Sequence, residues 1–385
     1  MTITSARWFR LLYASRAAFV LILTLAFFEN VVVSDAGCIA LLVYAPQHAF
    51  AVLPLVLGLI AMCKRRFAIV GLNGATLLVW AIWLFGWNVP LQSLKIRNDT
   101  AYEVRVMTYN VQRGERGLPG LLDTIAQQRP DILCVQESQD PTPKRFSFPG
   151  DALQAHLQGW HHARGGDVMT FSRFPLLSQR VWPLHDERRV LETTWQTPGG
   201  KVRVLNVHIA KSDTEKELQE RNFTAFGAQI FANARRASRT RLDQLPQIET
   251  AIESDQNVPL IVAGDFNSPP RGPFYRALTS HLADAWKQGG WGNQATFPSR
   301  WPLFGIDHIF LRGARVKRAF APRSLASDHL PLVADVVLTP SEEQFGFENF
   351  DFQGAKRTQT GVPTGNFSPR GLSFPLAPSI ENAAS

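Results

Sequence analysis

Hydrophobic positions fall in two textures along the chain. Before residue 90 they run almost without interruption, in three apolar stretches at 8–28, 37–63 and 67–89. Each approaches or exceeds the roughly 20 residues needed to cross a bilayer. After residue 100 the apolar runs shorten and turn residues separate them. Runs at 104–110, 132–136, 202–208, 260–263, 306–311 and 332–338 predict strands, several of them β-branched. Shorter helices are predicted at 118–128 and 274–282. A long one is predicted at 214–254, where Gly227 is the only glycine and Pro246 predicts a break. Strands outnumber helices, which favours an α/β sandwich over a doubly wound sheet. The expected organisation is a transmembrane region of about three helices at 1–90 and a linker at 91–100. A folded domain follows at 101–340, and a polar tail at 341–385, expected to be disordered.

Charge sharpens the first region. Residues 1–100 carry 8 Lys/Arg against 3 Asp/Glu, and the basic residues flank the apolar runs. Arg7, Arg10 and Arg16 precede or enter the first stretch, and Lys64, Arg65 and Arg66 separate the second from the third. The loop between the first two holds Glu29 and Asp35 instead. Positive-inside bias puts the N-terminus and the 64–66 turn in the cytoplasm, so three spans would deliver the later domain to the periplasm or exterior. Pro46 and Pro54 leave a re-entrant hairpin open, which would reverse that side. Trp80, Trp83 and Trp87 stand where an interfacial aromatic belt belongs. Residues 101–340, with 29 Lys/Arg against 24 Asp/Glu, are only modestly basic. That suits a phosphate-bearing substrate better than a nucleic-acid surface, so nucleic acid is a possible partner but not the favoured one. Cys38, Cys63 and Cys134 give neither a disulfide framework nor a zinc spacing.

The candidate chemistry sits at strand ends. Asn110 ends VMTYN, Glu137 ends DILCVQE, and His208 ends VRVLNVH. Asp265 and Asn267 follow PLIVAG, Asp307 and His308 stand in GIDHIF, and Asp328 and His329 stand in SDHLPLV. Carboxylates and amides without thiolates suit a hard cation such as Mg²⁺ or Mn²⁺. An imidazole beside a carboxylate can position water or protonate a leaving oxygen. There is no G-x-S-x-G nucleophile motif. Direct attack of water on a phosphoester fits better than a covalent intermediate.

Taken in order, MTYNV, VQE, SRFPL, NVH, GDFN, GIDHIF and SDHLPLVADV resemble the endonuclease/exonuclease/phosphatase superfamily. DNase I, AP endonucleases, neutral sphingomyelinases and inositol polyphosphate 5-phosphatases belong to it. The resemblance covers about residues 101–338 and implies a four-layered α/β sandwich with the site at one edge of two packed sheets. It implies Glu137 as principal metal ligand, with Asn110 and Asp328 beside it. Asp265 and Asn267 would orient water and hold phosphate. His329 would be the acid/base or phosphate-stabilising histidine, oriented by Asp307, and His208 a second phosphate contact supported by Glu187 or Glu192. His308 reads as strand packing, and Arg173 as either a phosphate contact or an interior structural arginine. The expected activity is Mg²⁺- or Mn²⁺-dependent phosphoester hydrolysis by a multi-pass inner-membrane protein, acting on a lipid headgroup or a phosphorylated metabolite. An extracytoplasmic nuclease and a catalytically inactive binding module remain as alternatives.

Overall fold

The computed structural model describes residues 3–31, 43, 45–91, 102–139, 149–185, 188–209 and 226–338. Within them the two textures become two differently built regions. The apolar stretches form α1 (Ile3–Val31), α2 (Ala49–Cys63) and α3 (Phe67–Val79), the last prolonged by a π-helical turn, Trp80–Leu84. Trp8–Glu29 and Phe67–Leu84 are long and apolar enough to cross a membrane. At 15 residues, α2 rises only about 22 Å, short of the roughly 30 Å hydrocarbon core. The expected second span is therefore a shorter apolar helix among the described residues. Most of 37–44 lies outside them, as do nearly all of the expected linker and the whole tail from 339 onward.

The bundle buries small and polar groups and exposes large apolar ones. Ser15, Ala18, Asn73 and Thr76 are buried, and the Asn73 amide donates to Ser15 Oγ at 2.9 Å. Phe9, Leu21, Phe27, Leu53, Leu59 and Leu78 face outward. Lipid as solvent permits this arrangement, because helices then gain from close packing and polar contacts rather than from hiding leucine. At one end, Arg66 of the turn after α2 lies over the Trp8 ring. At the other, Trp80 Nε1 donates to the Gln47 carbonyl at 2.8 Å.

The second region is a sandwich of two six-stranded sheets. In the first sheet, β1 (Glu103–Asn110) runs parallel to β2 (Ile132–Gln136), linked by α4 (Leu118–Gln128). After α5 (Pro149–His156), β3 (His161–Gly165) and β4 (Val168–Ser172) extend this sheet beyond β2. The second sheet opens with β5 (Leu176–Pro183), β6 (Arg189–Thr197) and β7 (Gly200–His208). A long helix, α6 (Phe226–Glu253), then carries the chain to β8 (Leu260–Asp265), parallel to β7. Next come α7 (Gly272–Thr279), β9 (Ala283–Asp284), α8 (Ala285–Gly289) and β10 (Asp307–Arg312), which pairs antiparallel with β8. The chain returns to the first sheet through β11 (Ala314–Phe320) and β12 (Leu332–Leu338), β12 lying against β1.

Alternating side chains give each sheet two apolar faces and hence four layers. Val104, Val106, Ile132, Trp195, Val204, Ile261 and Ile309 fill the space between the sheets. Met107, Leu133 and Val135 turn outward onto Leu121, Ile125 and Leu153 of α4 and α5. Leu205, Val207 and Val262 turn the other way, onto Ile248 and Ile252 of α6 and Phe274 and Leu278 of α7. The fold is the four-layered α/β sandwich that the family resemblance implies. Pro246 does not break α6: it removes one backbone donor, while buried Gln244, Ile248 and Ala251 hold the helix on the sheet on either side of it. His161 and His162 open β3.

Candidate active site

Each sheet contains one parallel strand–helix–strand unit, and both units end at the same edge. Asn110 closes β1, and Glu137 follows β2. In the second sheet His208 and Asp265 are direct partners across β7 and β8, and Asp307 is the partner of Asp265 across β10. Three site residues thus lie side by side in register, and the return of the chain to β12 brings Asp328 and His329 to them.

The local backbone is specialised for this. Glu137 and Asn267 have φ of 53° and 46°, in the left-handed region that side-chain-bearing residues rarely adopt. Such conformations persist where the surroundings over-determine them, and they concentrate at functional sites. Gly264 sits so close to β7 that a Cβ would lie 1.8 Å from the Val207 carbonyl oxygen. Only glycine lets β8 deliver Asp265 there.

Asp265 is the hub. Buried, it receives Asn110 Nδ2 at 3.0 Å and the Asn267 backbone N–H at 2.9 Å. Its Oδ2 lies 3.9 Å from His208 Nε2 and 3.8 Å from His329 Nε2. Burial pushes this carboxyl up, but the charges of His329 and His208 and the Asn110 hydrogen bond outweigh it and hold the group below its ordinary value. His329 Nδ1 meets Asp307 Oδ2 at 2.9 Å. Burial acts to discharge this imidazole, yet the carboxylates of Asp307 and Asp265 prevail and lift it to about 10. His329 is therefore a cation at neutral pH, closed on one side by the Phe297 ring.

Asn110 links the two halves, donating also to Glu137 Oε1 at 3.2 Å while its own Oδ1 accepts from Gln112 N. Glu137 lies at the half-open rim, 3.8 Å from Arg113 Nε. Asp328 adjoins His329, and its backbone N–H donates to Gln112 Oε1. Among the described residues, Asp265, Asp307 and His329 form a buried acidic/His group whose ligand atoms lie within 4.8 Å of one another and which could hold a metal ion. Asn110, Glu137, His208, Asp265, Asn267, Asp307, Asp328 and His329, the residues for which the resemblance implies a catalytic or metal-binding role, therefore lie at one edge of the sandwich.

Two expectations change. The carboxylate on His208 Nδ1 is that of Asp167, whose Oδ2 lies 2.6 Å from it and 2.9 Å from Arg188 Nη1. Glu192 instead pairs with buried Arg203 at 2.7 Å and accepts from Trp182 Nε1, and Glu187 lies outside the described residues. Arg173 follows β4 at the opposite end of the sheet, half exposed over Trp160 with its Nε donating to the Pro130 carbonyl. It is neither at the site nor interior. His308 is strand packing, as expected, buried against Phe266 and Phe310 with Nε2 on the Ser268 carbonyl. Sequence reasoning also passed over Ser327, whose Oγ donates to the Asn110 carbonyl at 2.7 Å and accepts from His329 N. That hydroxyl ties the His329 loop to β1.

Comparison with known proteins identifies the family. The profile of the Endonuclease/Exonuclease/phosphatase family matches residues 107–329. A UPF0294 protein of Vibrio parahaemolyticus is 37% identical over 254 residues, covering 62% of this chain and 80% of that protein. A UPF0294 protein of Vibrio cholerae is 42% identical over 78 residues, 20% of this chain; the match spans about a quarter of that relative, 26%. Among solved structures, an endonuclease/exonuclease/phosphatase from Bacteroides vulgatus aligns with 18% identity and a TM-score of 0.49, covering 62% of this chain and all of that one. With the family's profile matched from β1 to the His329 loop, this chain belongs to the endonuclease/exonuclease/phosphatase family.

Proposed function

We propose that this protein is a membrane-anchored, divalent-metal-dependent phosphoesterase that hydrolyses a phosphodiester or phosphomonoester by direct attack of water. The observation that carries the reading is the placement of Asp265. It lies in register between His208 and Asp307, within 4 Å of two imidazole nitrogens.

The donor set fits a hard cation, since Glu137, Asp328 and Asn110 offer oxygen and no thiolate. Mg²⁺ or Mn²⁺ held there would neutralise charge on a phosphoryl oxygen and on the leaving oxygen. Glu137 and Asp328 are the better ligands, because Asn110 already spends both ends of its amide. The buried group of Asp265, Asp307 and His329 is a second place that could hold a metal ion.

The chain's own residues supply positioning and charge. Anionic Asp265, with Asn267 beside it, accepts a hydrogen bond from the incoming water and aligns its oxygen with phosphorus. As that oxygen bonds to phosphorus it gives up its proton to Asp265, the ester P–O bond breaks, and the departing oxygen takes a proton from solvent water. Cationic His329 and the His208 imidazole stabilise the charge spread over the phosphoryl oxygens. Electrostatics and positioning of this kind supply most of the rate in phosphoryl transfer.

Anchorage is supported by the outward-facing apolar residues of α1 and α3. Placement of the sandwich outside the cytoplasm is supported by the Lys64–Arg66 turn lying at the far end of the bundle from it. The test uses the full chain in detergent micelles, assayed on bis(p-nitrophenyl) phosphate and p-nitrophenyl phosphate with Mg²⁺, Mn²⁺ or a chelator, beside single- and double-stranded DNA. Metal-dependent turnover that His329→Ala removes supports the reading. Folded, metal-loaded protein that turns over none of them, and no phosphoester lipid in vesicles, is a binding module instead. Protease accessibility in sealed vesicles reports the side.

A further inference from the structure

The catalytic edge of the sandwich is also the edge fastened to the membrane helices. Two short tracks of chain show it. The first leaves Asp265, passes Asn267 and two prolines, and reaches Arg271 six residues on. Arg271 pairs with Glu29 near the end of α1 at 2.9 Å and donates to the carbonyls of Val43 and of Leu84, where the π turn ends. Arg276, one turn into α7, donates to the Glu29 carbonyl. The second track starts beside Asp307, whose carbonyl accepts from Gln294 Nε2 at 2.8 Å, and reaches Gly292 two residues earlier. Gly292 exchanges both backbone hydrogen bonds with Asn88, four residues beyond the π turn. Asn88 Nδ2 donates to the carbonyls of Trp286 and Gly290, and Asn293 Nδ2 to that of Phe85. These contacts hold the reactive edge beside the ends of the apolar helices.

The chain between these anchors carries exposed aromatic residues. Trp291 is 66% exposed beside Gly292, and Trp301 is 72% exposed at the tip of the turn whose Phe297 covers His329. Exposed Arg300 precedes Trp301. On the adjoining helix end, Trp83 and Trp87 are 51% and 47% exposed. Trp286, by contrast, belongs to the core between the sheets. Solvent-facing tryptophan is costly in water and favoured among lipid headgroups, where one part of the ring is apolar and the N–H stays wet.

We propose that the substrate is a lipid-borne phosphoester. Its headgroup enters the cleft at Asp265 and His329 from the bilayer surface, while Trp291 and Trp301 sit in the interface and hold the site against it. The inference rests on the phosphoesterase reading above and deepens it by naming the substrate class.

The test uses the full chain reconstituted in vesicles of phosphatidylethanolamine and phosphatidylglycerol, with bis(p-nitrophenyl) phosphate as the soluble comparator. Trp291→Ala/Trp301→Ala should slow headgroup or phosphate release from the vesicle lipid by at least about tenfold, roughly 1.4 kcal/mol. Turnover of the soluble diester should be unchanged. Quenching of tryptophan fluorescence by brominated lipid should fall in the same variant. If the soluble diester is cleaved and the vesicle lipids are not, or if the variant slows both equally, the lipid inference fails and the phosphoesterase reading stands. If metal-loaded protein cleaves neither, the phosphoesterase reading fails and takes the inference with it.

Discussion

His329 with Asp307 and His208 with Asp167 are the same two side chains in two settings. In both, a carboxylate oxygen meets Nδ1, and Nε2 points at the one Asp265 oxygen. In the inner pair Asp307 is fully buried, so its charge is undiluted by solvent and serves one imidazole. In the rim pair Asp167 keeps 28% of its side chain exposed and divides itself between His208 and Arg188. A carboxylate with a single sealed partner fixes a proton; one shared with arginine mainly fixes an orientation. The inner pair is thus suited to present a permanent cation, and the rim pair to hold an imidazole at a set angle.

The largest effects should follow from the inner pair. His329→Ala should lower kcat about 100- to 10,000-fold, the range of a lost acid–base or charge-stabilising group. Asp307→Asn should approach the same loss, because the amide cannot hold the cation. The double variant should be little worse than either single one, since residues acting as a unit are strongly non-additive. Near-normal turnover in Asp307→Asn would show that the pair is not such a unit. At the rim, His208→Ala should cost on the order of a hundredfold. Asp167→Asn should cost only about tenfold, as for the loss of a supporting hydrogen bond. Equal losses in Asp167→Asn and Asp307→Asn would erase the distinction between the settings.

Stability should separate the pairs by pH, measured as Tm on chelated protein. His329 is raised to about 10 in the folded state, against about 6.5 unfolded. Its contribution is therefore complete below pH 6.5 and fades as pH rises through 10. Burial pushes the Asp167 carboxyl up, but the hydrogen bond and charge of His208, with Arg188, hold it below its ordinary value. Its contribution is complete above the unfolded value of about 3.9 and fades as pH falls below it. His329→Gln should flatten the alkaline side of the Tm profile, and Asp167→Asn the acid side. If each variant changed the other's side, the assignment would be reversed.

The inner pair was legible in the sequence and half of the rim pair was not. Asp307 and His329 both end or precede apolar runs whose strand character is plain, so placing the strands places the residues. His208 was legible for the same reason. Asp167 was hidden because it stands in the tight turn between β3 and β4, in RGGDV, where aspartate ordinarily serves the turn itself. What brings it to His208 is tertiary: Ser138, next to Glu137, donates both its N–H and its hydroxyl to the Asp167 carbonyl. That fastens the turn beside β7. No spacing rule reports a contact made across two sheets. The fold was more legible than the site because alternation and short apolar runs already specify two-faced strands. Both parallel pairs, β1–β2 and β7–β8, follow from a strand, a helix and a strand in succession. The edge strands β3, β5 and β11 were missed because solvent and long polar side chains interrupt their pattern. In β5 only Leu176 and Trp182 are even partly covered.

The smallest effect on activity should come from Glu192→Gln, and it bears most directly on which carboxylate supports His208. Glu192 lies on β6, paired across the strands with Leu205 rather than with His208. Its carboxylate meets Arg203, which is 2% exposed and also donates to the Ala251 carbonyl and Ser254 Oγ at the end of α6. Neutralising Glu192 leaves a buried guanidinium with its hydrogen bonds but without its counter-charge. The amide keeps one acceptor, so the expected cost is about 1–3 kcal/mol of stability, read as a lower urea midpoint. Turnover per folded molecule should stay within about twofold of the parent, a change under 0.5 kcal/mol in the barrier. A stable Glu192→Gln protein with turnover cut as deeply as in Asp167→Asn would return the supporting role to the glutamate. Lost stability with unchanged turnover would leave that role to Asp167.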